Sequence, residues 1–166
     1  VLRPDLVVSP GLVHRFLREA RAAASLRHPN VIPIYQVGEV EGLGYYLMPL
    51  IQGESLAAHI RRVGPLPFDE IRRIVHEAAE ALAAAHDVGL VHRDVKPDNI
   101  MLEGMERRAI VMDFGIARTF ESNAEGLTGT GLVIGTPQYM SPEQASAESN
   151  IDHRSDIYSL GVVAYE

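Results

Sequence analysis

At 166 residues the chain can form one domain with a real hydrophobic core. Its 46% hydrophobic and 22% charged residues are the balance of a globular protein in water, and a formal net charge of −7 argues against a general nucleic-acid-binding surface. There is no cysteine, which excludes disulfides, Cys-based metal sites and thiol catalysis.

Residues 1–8 have strand character, and Ser9-Pro10 then opens a helix, Ser being a good N-cap and Pro favoured at the first helical position. The helix is predicted to run to about Leu26 and to stop at His28-Pro29. Leu12, Phe16, Glu19, Ala23 and Leu26 follow steps of four and three and share one face. Glu19 is the sole acid on this helix and lies on the apolar stripe, where a carboxylate is costly without a cation. A neighbouring Arg on the same helix is the plain choice of partner. Residues 31–39 and 45–50 are rich in β-branched and aromatic types around Gly42-Leu43-Gly44 and read as a hairpin. The stretch Met48-Pro49-Leu50-Ile51-Gln52-Gly53 after it reads as a strand end and a turn.

Residues 55–62 form a short predicted helix and residues 67–87 a longer one, with Ile71, Ile74, Val75, Ala78, Leu82 and Ala85 at helical spacing. Its Ala-rich part, residues 78–85, is broken by Glu80 and too short and polar to span a bilayer. His59, His76 and His86 have no ligand spacing and read as surface or packing residues. Leu90-Val91, a polar loop over residues 92–99 and then Ile100-Met101-Leu102 suggest strand, loop, strand. Residues 110–112 close a second short hairpin across Gly104. The segment 119–131 is too rich in Gly, Thr, Ser and Asn to pack, and from Ser155 an apolar helix begins. No signal peptide is visible, and the first residue is Val rather than Met while the last lies inside an apolar pattern, so both ends look cut.

The loop His92-Arg93-Asp94-Val95-Lys96-Pro97-Asp98-Asn99 puts two acids, two bases, a His and an Asn into eight residues, a poor surface turn and a plausible reaction centre. It resembles the catalytic loop H-R-D-x-x-x-x-N of protein kinases, with Lys96 placed as in the serine/threonine branch. Asp113-Phe114-Gly115 resembles the D-F-G turn, and Gly135-Thr136-Pro137-Gln138-Tyr139-Met140-Ser141-Pro142-Glu143 the end of an activation segment, with Ser-Pro-Glu in place of Ala-Pro-Glu. Any one tripeptide means little; their ordered spacing carries the resemblance, which covers the chain from helix C to helix F and is nearest to the eukaryotic-like serine/threonine kinases of bacteria.

The resemblance implies an α+β, two-lobed kinase-like fold, incomplete here: about 1–48 from the N-lobe, 49–53 as the hinge and 54–166 from the C-lobe. It implies that Asp94 orients a substrate hydroxyl and takes its proton, and that Lys96 neutralises the γ-phosphate. Asn99 and Asp113 would hold Mg²⁺, or Mn²⁺ in its place, through oxygen; their plain readings are a turn residue and a strand-end cap. Met48 matches the gatekeeper, the Pro49 carbonyl and the Ile51 N–H the adenine contacts, and Met101 the residue beneath the ATP base. Glu19 matches the helix C glutamate that pairs with a lysine on strand 3, and Thr136 the threonine that bonds Asp94 and Lys96. Arg93 would receive a phosphate placed on Thr128 or Thr130, whereas Thr119 and Ser122 read as plain loop residues. His92, Phe114, Gly115, Glu143 and Asp156 are structural by the same resemblance, Asp156 bracing the loop from below.

The implied activity is ATP-dependent phosphorylation of Ser or Thr on protein substrates, in the cytoplasm, by a parent protein that carries any membrane anchor elsewhere. Self-association for autophosphorylation is part of that expectation; nucleic acid and membrane contact by this segment are not. The glycine-rich loop and the strand-3 lysine are absent from these residues, so the piece alone is expected to be inactive. The rival readings are a pseudokinase scaffold that binds partners without catalysis and a small-molecule phosphotransferase of kinase-like fold.

Overall fold

The computed structural model describes residues 10–40, 43–114, 137–146, 148 and 150–166. The expected strand character of residues 1–8 falls outside them, as does the side chain of Leu12. Helix α1 (Pro10–Ser25) buries Phe16, Ala20 and Ala23 on one stripe, with Leu26 buried just beyond its end and Glu19 half-buried beside them.

After α1 the chain does not enter the hairpin at once. The Asn30 carbonyl accepts the Val111 N–H at 2.8 Å and the Ile32 N–H donates to the Val111 carbonyl at 3.0 Å, an isolated parallel bridge of Val31 to Val111. The next rung of a parallel ladder would fall on Asp113, whose φ of 56° takes it out of the extended conformation. The hairpin therefore starts later than the apolar pattern suggests: β1 (Gln36–Val40) pairs antiparallel with β2 (Leu43–Leu47), Gln36 opposite Leu47 and Val40 opposite Leu43. Leu43 and Gly44, expected in the turn, are strand residues. Helix α1 lies over this hairpin, with the Phe16 ring stacked on Tyr46 at 5.9 Å between centroids.

A second sheet has the order β3–β4–β5, all antiparallel, from β3 (Gly53–Ser55), β4 (Ile100–Glu103) and β5 (Arg108–Val111). Ser55 ends β3 and caps α2 (Leu56–Val63), its hydroxyl accepting the Ala58 N–H at 3.2 Å. Burial alternates along β4: Ile100 and Leu102 face the core, while Met101 and Glu103 lie on the more open face. Helix α3 (Phe68–Asp87) covers β5, burying Ile74, Ala78, Ala81, Leu82 and Ala85. Each large aliphatic side chain so buried contributes about 1.5–3 kcal/mol. The outer edge of β5 is closed by side chains as well as backbone. Glu77 of α3 accepts the Ala109 N–H at 2.6 Å, and the buried Asn30 amide donates to the Ala109 carbonyl at 2.8 Å. An edge strand left open there would carry unpaired polar groups in the core.

Helix α3 ends in a Schellman motif. Gly89 takes the left-handed conformation (φ 74°), its N–H reaches the His86 carbonyl at 2.9 Å, and the Leu90 N–H reaches the Ala85 carbonyl at 2.9 Å. Leu90-Val91, expected as a strand, is an irregular connection that this cap aims at the loop 92–99. The short α4 (Pro142–Ala145) and then α5 (Arg154–Tyr165) complete the described elements, and α5 lies against α3. One core runs from Phe16 and Leu26 through Val31, β4, β5 and α3 to Leu160 and Val163.

Candidate active site

The loop 92–99 is fixed first from below. Asp156 on α5 is almost fully buried; its Oδ2 accepts the His92 N–H at 2.8 Å and its Oδ1 the Arg93 N–H at 2.7 Å. Its Oδ2 also lies 2.7 Å from His86 Nε2 on α3. Asp156 is thus no simple helix cap. His86, expected as a surface or packing residue, belongs to the same brace. Arg93 needs bracing because its φ is 65°, the left-handed region that costs a side-chain-bearing residue about 1–2 kcal/mol. From the other side Gln144 Nε2 donates to the Arg93 carbonyl at 2.8 Å.

His92 is fully buried, and its two nitrogens have distinct roles. Nδ1 lies 3.2 Å from the Asp94 N–H and must accept, so Nε2 carries the proton and donates to the Met112 carbonyl at 3.0 Å. The ring packs on Phe114 at 4.8 Å. Burial pushes its pKa down, outweighing the pull of Asp156, Asp94 and Asp113, in keeping with a neutral ring.

Within the loop, Asp94 Oδ2 accepts from Lys96 Nζ at 2.8 Å and from Asn99 Nδ2 at 3.0 Å. Asn99 Nδ2 also donates to the Asp94 backbone carbonyl at 2.8 Å. A carbonyl can only accept, so the Asn99 nitrogen must face Asp94 and its oxygen must face away. The 3₁₀ turn Pro97–Asn99 makes this possible by folding Asn99 back under Asp94 before β4 begins. The side chains of Asp94 and Lys96 are about one-fifth exposed, open enough to meet a ligand.

Two residues beyond β5, Asp113 also takes a left-handed φ, 56°. The Met112 N–H donates to the Asn99 carbonyl at 3.0 Å, which ties the Asp113 turn to the loop. Asp113 Oδ1 accepts the Tyr46 O–H at 2.9 Å. Burial first, then Asp113, push the Tyr46 phenol above its usual range, so it stays a donor. Asn99 and Asp113 offer hard oxygens from adjoining segments. Among the described residues no cluster of three or more His, Cys, Asp or Glu could hold a metal unaided. A pair of oxygen donors fits Mg²⁺, which keeps few protein ligands and completes its shell with water and phosphate.

The remaining expected residues flank this centre. Met48 is just over one-third exposed, Pro49 and Ile51 are half-buried, and they lie on an irregular segment joining β2 to β3. Met101 lies on the more open face of β4. Glu19 rides on α1, the helix whose Phe16 stacks on Tyr46. Glu143 accepts the Ser155 hydroxyl at 2.5 Å, and that bond holds its carboxyl below the ordinary range. Gly115, Thr128, Thr130 and Thr136 lie outside the described residues. Tyr46, His86 and Gln144 had no part in the sequence-based site. Their partners are 67, 70 and 51 residues away, and His86 reads in the sequence as a surface or packing residue.

Two small antiparallel sheets joined by an irregular segment, with α1 over one and α3 over the other, make an α+β arrangement consistent with an incomplete kinase-like fold. The chain belongs to the protein kinase domain family, whose model matches residues 8–166. It is 45% identical over 170 residues to the serine/threonine-protein kinase PknB of Mycobacterium leprae, covering 100% of this chain and 27% of that protein. It is 44% identical to the serine/threonine-protein kinase pkn3 of Myxococcus xanthus, covering 100% of this chain and 31% of the relative. Among solved structures, the crystal structure of the Mycobacterium tuberculosis PknI kinase domain matches with a TM-score of 0.78 and 34% identity, over 99% of this chain and 60% of that one. The chain thus spans less than a third of the length of these two kinases. Among the described residues no helix is long and apolar enough to cross a membrane.

Proposed function

We propose that the protein containing this chain phosphorylates Ser or Thr hydroxyls of proteins with ATP. The observation that carries this reading is the Asp94–Lys96–Asn99 cluster, held at 2.8–3.0 Å beside Asp113. In the step, the substrate hydroxyl oxygen attacks the γ-phosphorus, its proton passes to Asp94, and the bond to the ADP oxygen breaks. Lys96 reaches the Asp94 carboxylate at 2.8 Å and is placed to offset charge on the transferred group. A divalent cation, Mg²⁺ or Mn²⁺, would be held by Asn99 and Asp113 and supplies charge neutralisation on the phosphates. Thr136 would bond Asp94 and Lys96, and Glu19 would pair with a lysine on another strand.

Residues 49–53 act as the hinge between about 1–48 and 54–166. Adenine would lie near Met48 and Met101, bonded by the Pro49 carbonyl and the Ile51 N–H. Arg93 would meet a phosphate on Thr128 or Thr130, added through self-association. Support for the protein-kinase reading over a scaffold lies in the intact hydrogen bonding of the loop.

The test is transfer of labelled γ-phosphate from ATP to a generic protein substrate by the full-length protein. Asp94→Asn is expected to lower kcat by about 10²- to 10⁴-fold while thermal stability holds. Equal transfer by wild type and variant would sink the reading.

A further inference from the structure

We propose that Gln144 is a positioning residue for the catalytic loop, acting through the Arg93–Asp94 peptide; this rests on the reading of Asp94 as the base. Arg93 is held at both ends. Its N–H is bonded by Asp156 from α5 at 2.7 Å, and its carbonyl by Gln144 from α4 at 2.8 Å. The carbonyl belongs to the same peptide plane as the Asp94 N–H, so whatever turns that plane turns Asp94. A left-handed residue such as Arg93 has no secondary structure of its own to keep its peptide in place. The Gln144 bond holds the carbonyl side of that peptide, whose N–H side is held by His92 Nδ1 at 3.2 Å.

The amide of Gln144 is used at both ends. Its Oε1 accepts the Ser141 N–H at 3.0 Å, while the Ser141 hydroxyl accepts the Gln144 N–H at 3.4 Å, a reciprocal capping box at the start of α4. A capping box works with Glu or Gln at this position. The bond to Arg93 works with Gln alone, because a carboxylate has no N–H and would set an oxygen against the carbonyl. The cap therefore does not account for the residue, and the Arg93 bond does. It links the loop to α4, the helix that Ser141 caps, so a shift of α4 is felt at Asp94.

The test uses the full-length protein with three variants. Gln144→Glu keeps the cap acceptor and removes the donor. Ser141→Ala weakens the cap and leaves the Arg93 bond. Gln144→Ala serves if Gln144→Glu does not fold. A misplacement of about 1 Å in a catalytic group costs on the order of 100-fold. Gln144→Glu is accordingly expected to lower kcat about 10- to 100-fold, with the KM for ATP within about twofold and the melting temperature close to wild type. Ser141→Ala is expected to shift melting and leave kcat near wild type. The second readout needs no catalysis: amide hydrogen exchange over residues 92–95 without nucleotide is expected to quicken about tenfold in Gln144→Glu, with residues 154–165 unchanged. If the wild type transfers no phosphate, the kinase reading fails and exchange alone decides on the Gln144 link. Unchanged exchange, or a kcat loss matched by Ser141→Ala, overturns the proposal.

Discussion

His92 shows how one ring can order a whole loop. Its acceptor nitrogen serves Asp94 and its donor nitrogen serves Met112, so a single tautomer joins the loop to the strand that leads to Asp113. A second proton would leave the Asp94 N–H facing another N–H in a buried site. This gives a pH dependence with a definite sign. The folded-state pKa is depressed below the ordinary 6.5, so the unfolded chain binds the extra proton first as pH falls. The stability tied to the neutral ring is fully present above about pH 6.5 and is lost below it, at up to about 1.4 kcal/mol per pH unit. Thermal melting of the full-length protein between pH 7.5 and 5 is expected to steepen below 6.5, and His92→Gln to flatten that slope whatever its absolute melting temperature. A wild-type slope unchanged by the substitution would refute it.

Among the elements, β3 is tightly constrained at its first residue. A Cβ built on Gly53 would lie 1.9 Å from the Leu102 carbonyl oxygen, a backbone atom that cannot swing aside. Gly53→Ala must push β3 off β4 and carry the α2 cap on Ser55 with it. The expected cost is about 1–3 kcal/mol, read as a lowered melting temperature. No change would mean that β3 is free to shift. The helices were legible because their signals are local: the 3.6 period of α3, and Pro10 at the first position of α1. The strands were less so. Residues 31–35 carry the composition of a strand, but they form an isolated bridge at Val31, whose partner is Val111, 80 positions away in sequence. Leu43 and Gly44 read as a turn because Gly and hydrophobicity compete there, and pairing with Val40 and Glu39 settles it. In the site, the loop and Asp113 were readable from spacing. Tyr46, His86 and Gln144 were not, because each acts through one long-range hydrogen bond that leaves no periodic trace.

For the whole molecule, the decisive join is between the α1–hairpin part and the β3–β4–β5 sheet. Asn30 holds it with its backbone carbonyl and its side-chain amide, on Val111 and Ala109 respectively. Asn30→Ala keeps the first bond and leaves the buried Ala109 carbonyl without the Asn30 donor. The expected loss is about 1–3 kcal/mol of stability, measured by thermal melting of the full-length protein. A variant as stable as wild type would show that water or a backbone shift replaces the amide.

The bridge at Val111 has a mechanical consequence. Two backbone bonds converge on that one residue, and the Asn30 amide adds a third bond two residues earlier on the same strand. Two residues past the bridge, Asp113 accepts the Tyr46 O–H of the hairpin. The hairpin part is thus pinned to the strand on both sides of Val111, and a displacement that carries it off β5 strains the Tyr46–Asp113 bond together with the bridge.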